Sequence, residues 1–190
     1  MARAMKIFSL LVICAVMVAQ QVMAAGEQNQ VMMMRGPELI KNMCQVSPKK
    51  DLCLKVLLSD PLDSSQADAT ELATIALRVA ADSASSMLDD IKVFIENPEL
   101  SPEIQQGLSD CKETIMDAGA QVQDTIASLL QGADRDANTW LQAAFAAIDT
   151  CDASIPGDDD ILSVKSRQLR NFVDLATAII NSLPNKNFVH

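Results

Sequence analysis

Two cysteines nine residues apart, with a proline between them, constrain this chain more than any other feature. On one unbroken helix Cys44 and Cys53 would stand about 13 Å apart, beyond the Cα separation of about 7 Å that a disulfide tolerates. Pro48 breaks any such helix. It cannot donate to the preceding turn, it biases Ser47 toward extended backbone, and it suits the first position of a new helix. The stretch LIKNMCQVSPKKDLCLKVLLSDP, residues 39–61, therefore reads as two short helices folded back at Pro48. Such a hairpin brings the two thiols together, as a disulfide or as a pair of buried free cysteines.

The compartment follows from the N-terminus. Arg3 and Lys6 precede an apolar run from Ile7 to Ala19, and small residues follow around Ala24 and Ala25. This is the pattern of a cleaved secretory signal, expected over residues 1–25. The run is shorter than the roughly 20 apolar residues of a membrane-spanning helix, so no membrane association is expected after cleavage. Cleavage removes Cys14 and leaves Cys44, Cys53, Cys111 and Cys151, an even set in a secreted chain and hence candidate disulfides. Four cysteines allow three connectivities. Losing Arg3 and Lys6 takes the 15 bases to 13 against 25 acids, and the formal net charge from −10 to −12. Such a surface repels nucleic acid and anionic membranes and favours a basic protein partner. Residues 26–190 suffice for one domain with its own core.

Helical periodicity organises the rest. Residues 26–35, with three methionines in a row, carry no period and read as a loose leader. A hairpin is expected over 37–60, stopped by Ser59-Asp60-Pro61, with a polar linker to Ala67. Asp68 and Glu71 have capping-box spacing, and Leu72, Ile75, Val79, Ser83, Met87, Ile91 and Phe94 mark one face of a helix of about seven turns. Asn97-Pro98 ends it. Ser101 and Pro102 suit the N-cap and first position of a second long helix. Its stripe is Ile104, Leu108, Cys111, Ile115, Ala118, Val122, Ile126 and Leu129, and Gly132 closes it. A third helix fits Ala137–Asp152, with Ala137, Leu141, Ala144, Ile148 and Cys151 inward. A fourth fits Val164–Leu183, with Gln168, Phe172, Leu175, Ile179 and Leu183 inward. The acids Asp158 to Asp160 between them read as a solvated turn without the alternating ligands of a calcium loop. The expected fold is all-α: an antiparallel up-down-up-down four-helix bundle over 68–184, with an N-terminal helical hairpin. In that bundle Cys111 and Cys151 lie about 30 and 22 Å from the turn near Gly132, so a modest stagger makes a bridge between them feasible.

The chemistry of catalysis is largely missing. The single histidine is His190, so serine-hydrolase, thiol-protease and zinc arrangements lack their imidazole. The cysteines have no C-x-x-C spacing, the neighbouring acids diverge by about 100° on a helix, and no glycine-rich phosphate loop occurs. No enzyme activity, cofactor or metal is expected. Two candidates remain on physical grounds: a binding module working through a helical face, or a carrier holding an apolar ligand between helices.

Cys44-x8-Cys53 with its proline turn, the Leu-Ser-Asp-Pro stop, Asp110-Cys111-x-Glu113-x-x-x-Asp117-Ala118, Ala143-Ala144-Phe145 and Thr150-Cys151 together give this chain a pattern. In it the chain resembles the plant invertase and pectin methylesterase inhibitor family, over its whole mature length. The resemblance implies disulfides Cys44–Cys53 and Cys111–Cys151, secretion to the cell wall, and inhibition of a carbohydrate-active enzyme by one-to-one docking over its cleft. Members resembling invertase inhibitors carry Pro-Lys-Phe at the turn into the third bundle helix, where this chain has Gly132-Ala133-Asp134-Arg135-Asp136. The implied target is therefore pectin methylesterase, with acid invertase the alternative. By the same resemblance Glu113, Asp117 and Thr150 match partner-contacting positions on an acidic face. Ile115, Gln142 and Ala153 depart from the family pattern, each with the loss of a polar contact.

Overall fold

The computed structural model describes residues 34–157 and 160–183. The expected signal at 1–25, most of the leader, Asp158, Asp159, Pro184 and His190 lie outside the described residues. Within them the chain is helical throughout: α1 (Gly36–Gln45), α2 (Lys50–Leu57), α3 (Pro61–Ser64), α4 (Ala69–Ile95), α5 (Pro102–Leu130), α6 (Asp134–Ser154) and α7 (Asp160–Asn181). The last four form the antiparallel bundle, each packed on its sequence neighbour and α7 returning against α4.

The helix starts follow their local chemistry. At α4, Asp68 Oδ1 accepts from the Glu71 amide at 3.0 Å, while Glu71 Oε2 accepts from the Asp68 amide at 2.7 Å. This reciprocal pair satisfies two N-terminal donors. Ser101 Oγ accepts from the Ile104 amide at 3.3 Å, with Pro102 at the first position of α5. The hairpin forms around a Cys44–Cys53 disulfide with a Cα separation of 5.5 Å. Pro48 makes its turn but does not open α2: Lys49 is the N-cap, and its carbonyl accepts from the Cys53 amide at 2.9 Å. Lys49 Nζ then ties this turn to α7, donating to Asn171 Oδ1 at 2.6 Å and Asp174 Oδ2 at 3.1 Å. The Asp60-Pro61 stop proved also to be a start. Asp60 accepts from the Leu62 and Asp63 amides and nucleates the short α3 where a linker was expected.

Burial corrects the stripes in detail. On α4 every residue from Leu72 to Leu77 is buried, more than one helical face, because α2 and α3 pack on this helix in addition to α5 and α7. Val79 and Phe94, expected inside, are only half-buried. On α5 the stripe runs through Thr125 and Ser128, leaving Ile104 and Ile126 half-buried. The five expected inward residues of α6 are all buried. The fourth helix differs most: it starts at Asp160, Gln168 is exposed, Leu183 is half-buried, and Leu162, Ser166 and Leu169 turn inward. Val164 to Gln168 contain one apolar residue, so nothing there marked the phase. Each fully buried leucine or isoleucine contributes about 2 kcal/mol through loss of apolar surface.

Candidate partner-binding face

α5 and α6 are joined more closely than any other pair. Cys111 and Cys151 are bonded, with Cα atoms 4.0 Å apart and no exposed surface. At the level of the bridge Gly107 permits this approach: a Cβ there would collide with the Ser154 carbonyl and lie 3.1 Å from Ile155 Cα. Ser154 Oγ donates to the Gly107 carbonyl at 2.9 Å. At the other end α5 terminates on Gly132, whose φ of +71° suits glycine. The Ala133 amide reaches the Ser128 carbonyl at 2.9 Å and the Gly132 amide the Leu129 carbonyl at 3.0 Å, the paired bonds of a Schellman end. Gln131 caps α5 and Ala133 caps α6, so the turn that replaces Pro-Lys-Phe is short.

This frame fixes the outward face of α5. Asp110, Glu113, Asp117 and Asp124 follow one another at helical spacing and all are exposed, so they share one side of the helix. Among the described residues, salt bridges are made by Asp63, Asp89, Asp90, Asp149, Asp152 and Asp174, and by none of these four. Asp110 accepts from Gln106 Nε2 at 2.9 Å. Glu113 and Asp117 thus stand one turn apart, solvated and unpaired. Thr150 is exposed on α6; its hydroxyl donates to the Ala146 carbonyl at 2.8 Å and retains acceptor capacity. It precedes Cys151, and the bridge holds it near the level of Cys111, two residues before Glu113. No hydrogen bond joins any two of the three.

The opposite edge of α6 is organised by a residue that sequence reasoning missed. Arg170 of α7 donates to both Asp149 and Asp152, the latter at 2.8 Å. Partial burial acts to lower its pKa, but the hydrogen bonds and charges of the two carboxylates outweigh it and raise the guanidinium above the ordinary arginine value. Lys165 similarly joins α7 to α4, reaching Asp90 at 3.1 Å and Ser86 Oγ at 2.7 Å. The i, i+3 spacing of Asp149 and Asp152 was visible in the sequence, but their partner lies across the bundle. Among the described residues, Asp90, Asp149, Asp152 and Asp174 are therefore committed within the chain, and Glu113 and Asp117 on α5 are not. Among the described residues no cluster of three or more metal-ligating side chains occurs.

A protein-family model described as plant invertase/pectin methylesterase inhibitor matches residues 38–181. A pectinesterase inhibitor from Actinidia deliciosa is 28% identical over 149 residues, covering 77% of this chain and 80% of that protein. Among solved structures, mutant form A of a pectin methylesterase inhibitor from Arabidopsis is similar with a TM-score of 0.64 and 21% identity, over 77% of this chain and 98% of that one. A pectin methylesterase inhibitor from Arabidopsis thaliana gives a TM-score of 0.57 at 20% identity, over 78% and 97%. At these identities the two structures speak for the fold.

Proposed function

The chain belongs to the plant invertase/pectin methylesterase inhibitor family, and from that premise we propose that it is a secreted inhibitor of a pectinesterase, docking one to one over the enzyme's substrate cleft. The observation that carries this reading is the contrast in carboxylate pairing: Asp110, Glu113, Asp117 and Asp124 face solvent without an ion pair among the described residues, on a helix stapled to its neighbour. A preformed, unpaired acidic face loses little internal energy when a basic surface covers it, and complementary charge accelerates and orients the encounter. Glu113 and Asp117 supply charge-assisted hydrogen bonds to the enzyme, and Thr150 a neutral contact from the adjoining helix. The name of the Actinidia relative and the short Gly132-Ala133 turn in place of Pro-Lys-Phe favour pectinesterase. The family description also names invertase, which is the second reading. Secretion to the cell wall rests on the signal pattern of residues 1–25, and both disulfides are compatible with that oxidising compartment.

The test is an inhibition assay of the oxidised protein, residues 26–190, against a plant pectinesterase and a plant acid invertase in parallel. Pectinesterase alone is expected to be inhibited. The double charge reversal Glu113→Lys with Asp117→Lys is expected to raise the inhibition constant at least tenfold. An unchanged constant would remove this face from the mechanism, and inhibition of invertase alone would reverse the choice of target.

A further inference from the structure

Trp140 is the single tryptophan of the chain and stands 36% exposed on α6. The other aromatic rings among the described residues, Phe94, Phe145 and Phe172, are half-buried or buried. Exposed leucines and valines taken one at a time need no account. An indole is different. It brings up to about 250 Å² to a contact, and it gives up the freedom of only two side-chain torsions when a partner covers it.

Helical geometry fixes where the ring stands. Trp140 comes eleven residues before Cys151, which is three turns and about 20°, so it leaves α6 on the side that carries the bridge to α5. Toward the turn at Gly132, the run from Cys151 to Trp140 and the run from Cys111 to Gln121 each cover about 15 Å. The ring therefore lies level with Gln121, between the levels of Asp117 and Asp124. Ala143, Ala147 and Thr150 follow Trp140 at three, seven and ten residues and share its side of the helix. The alanines are half-buried and Thr150 is exposed. This lane runs on the flank of α6 away from Asp149 and Asp152, which face α7.

The acids of α5 border the same lane. Gly107 of α5 meets Ser154 of α6, and Gly119 approaches Ala84 of α4 at 3.8 Å, so α6 and α4 lie on opposite flanks of α5. Measured around the helix from Cys111, Asp110, Asp117 and Asp124 stand about 100–140° off toward α6. An aromatic ring thus sits at one end of a lane of small side chains, with unpaired carboxylates along its edge. That is the distribution of a protein interface, an apolar anchor within a charged rim.

We propose that Trp140 is the anchor by which this chain holds its pectinesterase: the indole enters an apolar recess on the enzyme, and the acids of α5 meet basic groups around that recess. The inference rests on the reading of the chain as a pectinesterase inhibitor. The ring governs how long the complex lasts, while the rim charges govern how fast it forms.

The experiment labels the oxidised protein, residues 26–190, with fluorotryptophan, which gives one fluorine resonance, from Trp140. Adding the plant pectinesterase that it inhibits is expected to shift this resonance and to abolish its response to deuterated solvent, because the ring leaves water. A pectin oligosaccharide without enzyme is expected to leave the resonance in place. In parallel, Trp140→Ala is expected to raise the inhibition constant at least tenfold, through faster dissociation and with little dependence on salt. Trp140→Phe is expected to recover most of that loss, and Leu62→Ala, at a residue 88% exposed on α3, to change nothing. The labelled protein carries no substitution of the ring's fold, so this arm stands even where Trp140→Ala does not fold. A complex in which the ring stays in water, or Trp140→Ala inhibiting as well as the unsubstituted protein, would overturn the anchor and leave the inhibition itself standing. A resonance moved by the oligosaccharide alone would overturn it in favour of a glycan contact. An unsubstituted protein that inhibits no pectinesterase would instead overturn the reading beneath the proposal, and the proposal with it.

Discussion

The two edges of α6 hold their neighbours by different chemistry. Toward α5 the contact is covalent and tight: Cys111–Cys151, with Gly107 admitting the backbone of Ser154. Toward α7 it is a guanidinium gripping two carboxylates beside a partly polar cleft. The difference teaches how the same acidic composition serves two ends. Where a staple and close packing fix the helices, surface acids are not needed for cohesion and remain available to a partner. Toward α7, where no staple exists, Asp149 and Asp152 are consumed in cross-helix pairs.

Breaking the staple has the largest expected effect. The double substitution Cys111→Ala with Cys151→Ala should lower stability by about 4 kcal/mol if the bridge acts on the unfolded chain as a loop constraint, read from urea unfolding. A loss below about 1 kcal/mol would show that packing alone holds this edge. Next comes Gly107→Ala, which forces a methyl group onto the Ser154 carbonyl and should cost about 1–3 kcal/mol; a neutral result would mean that the loop after α6 yields easily. On the other edge, Arg170→Gln should cost only about 1 kcal/mol, since the pair with Asp149 and Asp152 is largely solvated, and added salt should shrink that cost. Smallest for stability is the reversal of Glu113 and Asp117, expected to stay within about 0.5 kcal/mol while inhibition falls. If this pair proved as costly to folding as Arg170, the distinction between committed and available acids would fail.

Much of the bundle was legible because helix signals are local. The capping box at Asp68 and Glu71, the Ser101-Pro102 start and the Gly132 stop each act within five residues, and all three operate as read. The α6 stripe was also read correctly, since its inward positions are apolar or cysteine at every turn. The phase of α7 was not, because Val164 to Gln168 are mostly polar and the inward Ser166 looks like a surface residue. The linker before Ala67 hid a helical turn because Asp60 caps equally well after a stop. For the candidate site, Glu113 and Asp117 could be put on one face from their spacing. Their lack of ion pairs depended on where every other helix placed its bases.

By itself, then, the sequence determined the four long helices, their order, the turn at Pro48 and the cysteines available for stapling, all of which follow from steric and hydrogen-bonding rules acting within a few residues. Only the tertiary structure decided which acids are neutralised, how far Trp140 stands exposed, and which edge of α6 is dry and which opens into a cleft. Those outcomes depend on side chains distant in sequence, such as Arg170 and Asp149, meeting at a particular rotation of each helix. That rotation is set by the sum of core contacts, which no local stretch contains.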